Sequence, residues 1–212
     1  LPDHQLTGLQ IIKREVIIRY LKRLLRIDQQ LAPFSIIGNE KKVYAQFTFT
    51  TSEGQRSISI GGSIDRLDKV TDQDSGQSAL RVIDYKTGHA PKKDIKEFAE
   101  VFDPDCIRDK HSQYYLQTMI YSHIVRNDKT VNPGQLPVRP GLLYIQKVQQ
   151  EDYDPVLKID KKKISNIQQY ATDLCENLGK LVSEIFEPTR PFAPTSDRSR
   201  CQRCPYQHLC GL

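Results

Sequence analysis

The spacing of apolar residues along the chain changes with position and predicts the order of its secondary-structure elements. Residues 9–27 carry apolar side chains three and four positions apart, as a long amphipathic helix does. Residues 43–50 alternate apolar with smaller or polar side chains and predict a half-buried strand. Two β-branched runs at 58–70 and 79–87 flank the polar turn DQDSGQS, which predicts a hairpin. We therefore expect a helix followed by a meander of three strands.

The second half of the chain returns to helical spacing twice. Residues 89–110 have mixed charge and no sustained period, so they predict a surface excursion that lies over the cleft. Residues 111–127 predict a helix, residues 142–148 a buried strand, and residues 161–186 a second long packing helix. The resulting order, α-β-β-β-α-β-α, predicts an α/β fold with a mixed central sheet flanked by helices.

Composition limits the class of protein. The 212 residues suit one domain, and a net charge of +5 permits a polyanionic partner without requiring one. No apolar run approaches the roughly 20 residues of a membrane span, and the first residues lack a signal-peptide pattern, so we expect a cytoplasmic protein with no membrane partner. The chain starts Leu-Pro without an initiator Met, and we expect it to be a piece of a longer protein.

The cysteines are concentrated in a tail at 195–212. Of the five Cys, the last three are Cys201, Cys204 and Cys210. A C-x-x-C pair places two thiolates on one ion, and a third six positions later can return to it, which indicates a metal site in a reducing compartment. His208 lies between the last two thiols, so a Cys₃His site for Zn²⁺ is one possible form.

The hairpin carries the candidate chemistry. Alternation places Asp84 and Lys86 on one face of the second strand, and Asp65 on the first strand can lie beside them. Two carboxylates and the backbone carbonyl of Tyr85 form an all-oxygen set that suits Mg²⁺ or Mn²⁺. A neighbouring ammonium can activate water and stabilise charge on a phosphate, so the pattern predicts phosphodiester chemistry. A solvated surface pair of Asp and Lys is the alternative interpretation.

The string GSIDR at 62–66, followed by VIDYKTG at 82–88, resembles the active-site hairpin of PD-(D/E)XK nucleases. The similarity is greatest to the RecB-like or AddB-like exonuclease branch, which includes the nuclease domains of bacterial helicase-nucleases. The resemblance implies a Mg²⁺- or Mn²⁺-dependent active site built from the two aspartates and the lysine. It also implies that Glu40, just before the first predicted strand, is a further metal ligand.

Two other segments share this resemblance. Gln117-x-x-x-Tyr121 resembles the Q-x-x-x-Y motif of the RecB-like helix that packs beside the hairpin, and implies side chains that hold DNA or the catalytic groups. A helix whose polar side chains reach solvent is the alternative. The tail resembles the C-terminal part of an iron-sulfur site, and implies a 4Fe-4S cluster whose fourth Cys is supplied from outside this chain, unless zinc or no metal replaces it.

The charged face of the first helix has two interpretations. Glu15, Arg19, Lys22 and Arg26 lie opposite its apolar stripe. They form either a solvated face with a Glu15–Arg19 pair or a basic track along a DNA backbone.

The resemblance implies a metal-dependent DNA exonuclease of repair or recombination that acts on single-stranded or duplex ends, with a helicase as partner subunit or domain. Two alternatives belong to other classes. One is a catalytically inactive nuclease-like module that binds DNA or has a structural role. The other is an interaction module in which the cysteine tail binds metal and the hairpin has no chemistry.

Overall fold

The computed structural model describes residues 7–72, 76–147, 153–191, 193, 195, 197–202 and 204–211. Its α-helices are α1 Gly8–Leu31, α2 Ile107–Lys110, α3 Ser112–Asn127, α4 Ala171–Phe186 and α5 Arg198–Cys201. Its strands are β1 Phe34–Thr51, β2 Gly54–Thr71, β3 Ser78–Lys86, β4 Val138–Tyr144, β5 Lys158–Ile159 and β6 Lys162–Lys163. Short 3₁₀ helices span Phe98–Val101, Pro104–Cys106, Ile145–Lys147, Ile167–Tyr170 and Gln207–Cys210. Within these residues, no helix combines the length and apolar character of a membrane span.

One four-stranded sheet has the order β1-β2-β3-β4. The first three strands are antiparallel neighbours, whereas β4 runs parallel to β3. A parallel neighbour requires a crossover, and α3 supplies it. The predicted hairpin is present, although its turn residues 73–75 lie outside the described residues. The prediction of an α/β fold with a mixed sheet flanked by helices is confirmed.

The alternation of β3 divides its side chains between the two faces of the sheet. Val82 lies in the large core with Met119 of α3, whereas Ile83 lies in a smaller core with Ile27 of α1. Since side chains alternate along a strand, Asp84 lies on the α3 side of the sheet. The candidate catalytic face is therefore the face that α3 covers.

Helix α1 is only partly packed against the sheet. Thr7 and Gln10 form a reciprocal capping box at its start, which explains why the helix begins there. Ile27 is its one buried residue among those described, whereas Leu9 and Ile12 are 63% and 62% exposed. The predicted apolar stripe therefore contacts the sheet only toward its C-terminal end.

Two strand boundaries differ from the prediction. Strand β1 begins at Phe34 rather than at residue 43, so Glu40 lies inside the strand, with a φ of 48°, and not before it. Most side chains of the added segment are exposed, which removes the apolar alternation that marks a half-buried strand. Strand β4 begins at Val138 and is followed by a 3₁₀ helix at Ile145, whereas the sequence predicts a strand over 142–148. Residue 148 lies outside the described residues.

The predicted helix over 161–186 is also too long. Residues 158–163 form the β5–β6 hairpin, a 3₁₀ helix follows, and α4 begins only at Ala171. Ile164 and Ile167 are fully buried three positions apart, so they continue the apolar spacing of α4 although neither residue lies in that helix. The segment 89–110 is also attached to the fold, because the Ile95 side chain packs in the main core.

Candidate active site

Asp65 and Asp84 lie where β2 and β3 separate. The pairing of these strands ends at Arg66 and Ile83, and the two aspartates are the next residues. Beyond this point β2 continues to pair with β1 alone. Oδ2 of Asp65 accepts a hydrogen bond of 2.6 Å from the backbone N–H of Tyr85, so the carboxylate takes the place of a strand partner. The structure thus brings together Asp65, Asp84 and Tyr85, three of the four residues that are predicted as ion ligands.

Asp84 is a buried carboxyl group, with a relative exposure of 6%. Burial raises its pKa above the usual range, the adjacent Lys86 lowers it, and the Asp65 carboxylate raises it again. The net direction is upward because removal from water is the largest effect. Two close carboxylates in a poorly hydrated place favour a bound cation, which would stabilise both in the ionised form.

Lys86 is held by three groups on the α3 side of the sheet. Its Nζ lies 2.6 Å from Oδ2 of Asp84, and its side chain is 17% exposed. The same ammonium donates a 3.5 Å hydrogen bond to Oε1 of Gln117. It also lies 4.0 Å from the centroid of the Tyr114 ring, a cation–π distance. The lysine is therefore directed toward the carboxylates and not free in solvent.

Gln117 and Tyr121 face the hairpin. Nε2 of Gln117 donates a 3.2 Å hydrogen bond to the Tyr121 hydroxyl, one helical turn further along α3. That hydroxyl occupies the space above Gly62, where a Cβ atom would collide with it. The glycine of the GSIDR string thus permits close approach of the helix to the strand. The polar face of α3 is turned toward the candidate site, in contrast to the solvent-facing alternative.

Glu40 is not brought into the set of ligands. It is exposed, and its carboxylate accepts a hydrogen bond of 3.3 Å from Ser63. In the described part of the chain, no three His, Cys, Asp or Glu side chains are placed to hold one ion. The carboxylates of the site are therefore Asp65 and Asp84.

Three aromatic residues beside Lys86 were not predicted from the sequence. Besides Tyr114, they are His111 at the start of α3 and Tyr144 at the end of β4. His111 makes an edge contact with Tyr114, with ring centroids 5.4 Å apart, and its Nδ1 lies 3.3 Å from the Tyr144 hydroxyl. Burial lowers the pKa of His111, which favours the neutral ring. Spacing is the sequence signal that could have identified Tyr114, because this residue lies one turn before Gln117 on the same helix face.

A buried charge cluster lies behind the site, on the α1 side of the sheet. Nη1 of Arg66 donates to Asp28 of α1 at 2.8 Å and to the Tyr85 hydroxyl at 2.9 Å. Arg66 and Arg81 both donate to Asp68, whose exposure is 0%. Two cations balance two carboxylates, so the cluster is internally paired. It fixes α1 and the Tyr85 side chain against the hairpin.

The basic face of α1 lies across the sheet from Asp84. Arg19, Lys22 and Arg26 line a shallow groove together with Glu15. Because α1 packs on the Ile83 side, this groove and the candidate catalytic side chains belong to opposite faces.

The cysteine tail lies against the excursion. The guanidinium of Arg200 donates a 3.0 Å hydrogen bond to the carbonyl of Pro104, and the backbone N–H of Cys204 donates to the carbonyl of Cys201. Cys201 and Cys204 are half-buried, whereas Cys210 is exposed. The three thiols do not form a group that could hold an ion in the described part of the chain. The cluster and the zinc site remain predictions.

Comparison with known proteins identifies the family. Residues 2–211 match the profile of the PD-(D/E)XK nuclease superfamily. The chain belongs to this superfamily. No curated protein matches the chain. PD-(D/E)XK proteins are generally nucleases that use Mg²⁺ or Mn²⁺ and bind DNA, so nuclease activity is the function indicated by the family.

Proposed function

We propose that the chain is a metal-dependent deoxyribonuclease that hydrolyses phosphodiester bonds, with Asp65, Asp84 and Lys86 as its active centre. The observation that carries the proposal is the 2.6 Å contact of Lys86 with Asp84, beside Asp65 at the point where β2 and β3 separate. Membership of a nuclease superfamily gives this arrangement its chemical meaning.

The residues present fit a hard divalent ion. Mg²⁺ is usually bound by one or two carboxylates, several waters and substrate phosphate, rather than by a complete cage of protein ligands. The carboxylates of Asp65 and Asp84 and the carbonyl of Tyr85 would hold it. When bound, the ion supplies Lewis-acid stabilisation of the phosphate and lowers the pKa of water.

The remaining side chains have distinct proposed roles. The Lys86 ammonium holds a water molecule and offsets the charge that develops on the phosphate oxygens. Gln117 keeps that ammonium in position through its 3.5 Å hydrogen bond. The Tyr121 hydroxyl, next to Gly62, is available as a donor to the substrate backbone.

Cleavage of end-labelled single- and double-stranded DNA in Mg²⁺ or Mn²⁺ tests this proposal. Because the three residues act on one transition state, we expect Asp65→Asn, Asp84→Asn and Lys86→Ala each to lose about 100-fold or more in rate, and the triple variant to be little worse. Lys129→Gln, at an exposed position after α3, is the control. Near wild-type cleavage by both Asp84→Asn and Lys86→Ala would refute the assignment.

We further propose that the enzyme is an exonuclease of the RecB-like branch that is linked to a helicase in repair or recombination. The two hairpin strings, the Q-x-x-x-Y motif and the cysteine tail support this extension. Digestion of substrates labelled at one end or the other gives the polarity, and products of internal cleavage would contradict an exonuclease. DNA binding without cleavage by the wild type would indicate an inactive module instead.

The tail is proposed to bind a 4Fe-4S cluster whose fourth ligand comes from outside the tail, or Zn²⁺. We expect this 212-residue chain to show no stoichiometric cluster after anaerobic purification, since only three thiols are present in the tail. Iron and acid-labile sulfide analysis, with zinc analysis in parallel, decides between the two.

A further inference from the structure

A cleft of about 400 Å³ opens beside the proposed active centre. It lies between the end of β4, the start of α3 and the segment 153–158, which runs along the free edge of β4. Its main lining side chains are Pro91, Tyr115, Tyr144, Tyr153, Lys158 and Lys161. Three aromatic rings and two lysines thus share one cavity outside the carboxylate site.

The cleft lies next to the strand that carries the proposed active centre. In the parallel register of β3 and β4, Leu142 is the partner of Asp84 and Tyr144 is the partner of Lys86. Leu142 and Tyr144 both line the cleft. Neighbouring strands are about 4.8 Å apart, so one wall of the cleft is immediately beside the proposed catalytic strand.

The aromatic walls are fixed by their hydroxyl groups. The Tyr153 hydroxyl accepts a hydrogen bond of 2.9 Å from the N–H of Tyr144 and donates one of 3.1 Å to the carbonyl of Leu142. The Tyr115 hydroxyl donates to the carbonyl of Lys158 at 3.3 Å. Burial raises the pKa of both phenols to about 12, so these donors stay protonated at neutral pH. The rings form a pre-organised apolar surface, which reduces the entropy lost on binding.

The lining of the cleft carries charges of both signs. Lys158 and Lys161 are exposed, and Lys161 lies in the turn of the β5–β6 hairpin with a φ of 61°. The lining also contains Asp154, which is paired with Lys163 at 2.6 Å, and the exposed Asp94. A phosphate therefore fits the lysine rim better than the interior.

We propose that this cleft binds one unpaired nucleotide next to the scissile phosphate, with the base against the tyrosine rings and the backbone along the lysine rim. The inference rests on the proposed nuclease function and specifies its substrate class as single-stranded or frayed DNA. A base within an intact duplex presents only its edges, whereas an unpaired base can offer its face to an aromatic ring.

Binding without catalysis tests the cleft directly. A fluorescent single-stranded oligodeoxynucleotide and a blunt duplex of the same length are titrated in EDTA over a range of salt concentrations. The variants are Tyr115→Leu, Tyr115→Phe and the double variant Lys158→Gln/Lys161→Gln, with Lys129→Gln/Lys180→Gln as the charge-matched control away from the cleft. Thermal melting of each variant confirms folding.

The expected results differ for each variant. Loss of one stacking ring in Tyr115→Leu should weaken single-strand binding about 5-fold to 150-fold, whereas Tyr115→Phe should stay within about twofold. Loss of two phosphate contacts in Lys158→Gln/Lys161→Gln should reduce the log–log salt slope for the single strand by about 1.4. Blunt-duplex binding and the Lys129→Gln/Lys180→Gln control should not change.

The outcomes separate this inference from the proposed function. If both the Tyr115→Leu and the double-lysine variants fold and bind the single strand like wild type, the cleft assignment is wrong, even where cleavage in Mg²⁺ confirms the nuclease. If these variants lose binding but the wild type cleaves nothing in Mg²⁺ or Mn²⁺, the cleft is a single-strand site on an inactive module. Because the lysine variants alter exposed side chains, a folding defect at Tyr115 does not remove the test.

Discussion

The folded protein disfavours the ionised form of the Asp84 carboxyl group. Burial and the Asp65 carboxylate outweigh the attraction of Lys86, so its folded-state pKa is raised. The associated penalty is absent below the unfolded pKa of about 3.9, grows as pH rises from there toward the folded pKa, and is complete above the folded pKa. Asn cannot ionise, and we therefore expect Asp84→Asn to melt at a higher temperature than wild type at pH 7 without metal, with a difference that vanishes near pH 4.

Thermal melts in EDTA across this pH range measure the effect. Lys86→Met is the matched comparison, since it leaves the Asp84 carboxylate without its cation and should lower the melting temperature at pH 7. Equal melting of wild type and Asp84→Asn at both pH values would show that the buried carboxyl is not a source of instability.

Tyr114 is a positioning residue for Lys86. Its ring lies 4.0 Å from the ammonium, an interaction of about 0.5–2 kcal/mol. We expect Tyr114→Leu to lower kcat about 2-fold to 30-fold with little change in KM, since the ring acts on the lysine and not on bound DNA. Tyr114→Phe keeps the ring and should restore kcat. Equal losses in both variants would assign the effect to the hydroxyl or to packing.

The residues that could be predicted are those of the hairpin. Asp65, Asp84 and Lys86 occur in short strings on predicted strands. Because side chains alternate along a strand, the sheet face on which each residue lies follows from its position in the string. Tyr114 could not be assigned this way, because its contact with Lys86 depends on how α3 crosses the sheet. Tyr144 is placed beside Lys86 only by the pairing of β4 with β3, which the sequence does not show. Glu40 was predicted as a ligand from the resemblance to the nuclease family, which implies an acidic residue at a strand start, and β1 proves longer than its apolar alternation indicates.

Among the elements, α1 and the hairpin are joined by the Arg66 cluster. Removal of one partner from a buried ion pair costs about 3–5 kcal/mol. Arg66→Met should therefore lower the free energy of unfolding by up to that amount, because the half-buried Asp28 loses its ion pair and the fully buried Asp68 keeps only Arg81. Denaturant unfolding measures it.

Arg56→Met is the control for this prediction. Arg56 pairs with Glu53 at the surface, where side chains are about half exposed, and its loss should cost no more than about 1 kcal/mol. If the two variants lose the same stability, the buried cluster has no special role in holding α1.

Element order was predictable from the sequence, whereas element ends were not. Each long helix or strand has a characteristic spacing of apolar residues, and the order of these spacings along the chain predicts the α/β class. The end of β4 and the start of α4 were misplaced because short elements adjoin them. These are 3₁₀ helices and a hairpin whose strands have two residues each, and their apolar residues continue the spacing of the longer element. Packing of each face also needs tertiary information, since exposed Leu9 and Ile12 follow the same pattern as buried Ile27.

Two groups of basic side chains are candidates for contact with DNA phosphates. One is the α1 groove with Arg19, Lys22 and Arg26, and the other is the rim formed by Lys158 and Lys161. Since α1 covers the Ile83 side of the sheet, its groove lies across the sheet from Asp84, whereas the lysine rim lines the cleft beside the strand partners of Asp84 and Lys86. The structure therefore favours a solvated face for α1 over a DNA track.

This assignment makes a prediction about salt dependence. The triple variant Arg19→Gln/Lys22→Gln/Arg26→Gln removes three positive charges, yet we expect its log–log salt slope for single-stranded DNA to equal that of wild type. If these side chains contacted phosphates, the slope would fall by about two to three units. The double-lysine variant of the rim, measured in the same titration, shows that the assay detects lost contacts. A fall of two units or more in the triple variant would place the DNA path along α1 and would require the substrate to reach Asp84 around the edge of the sheet.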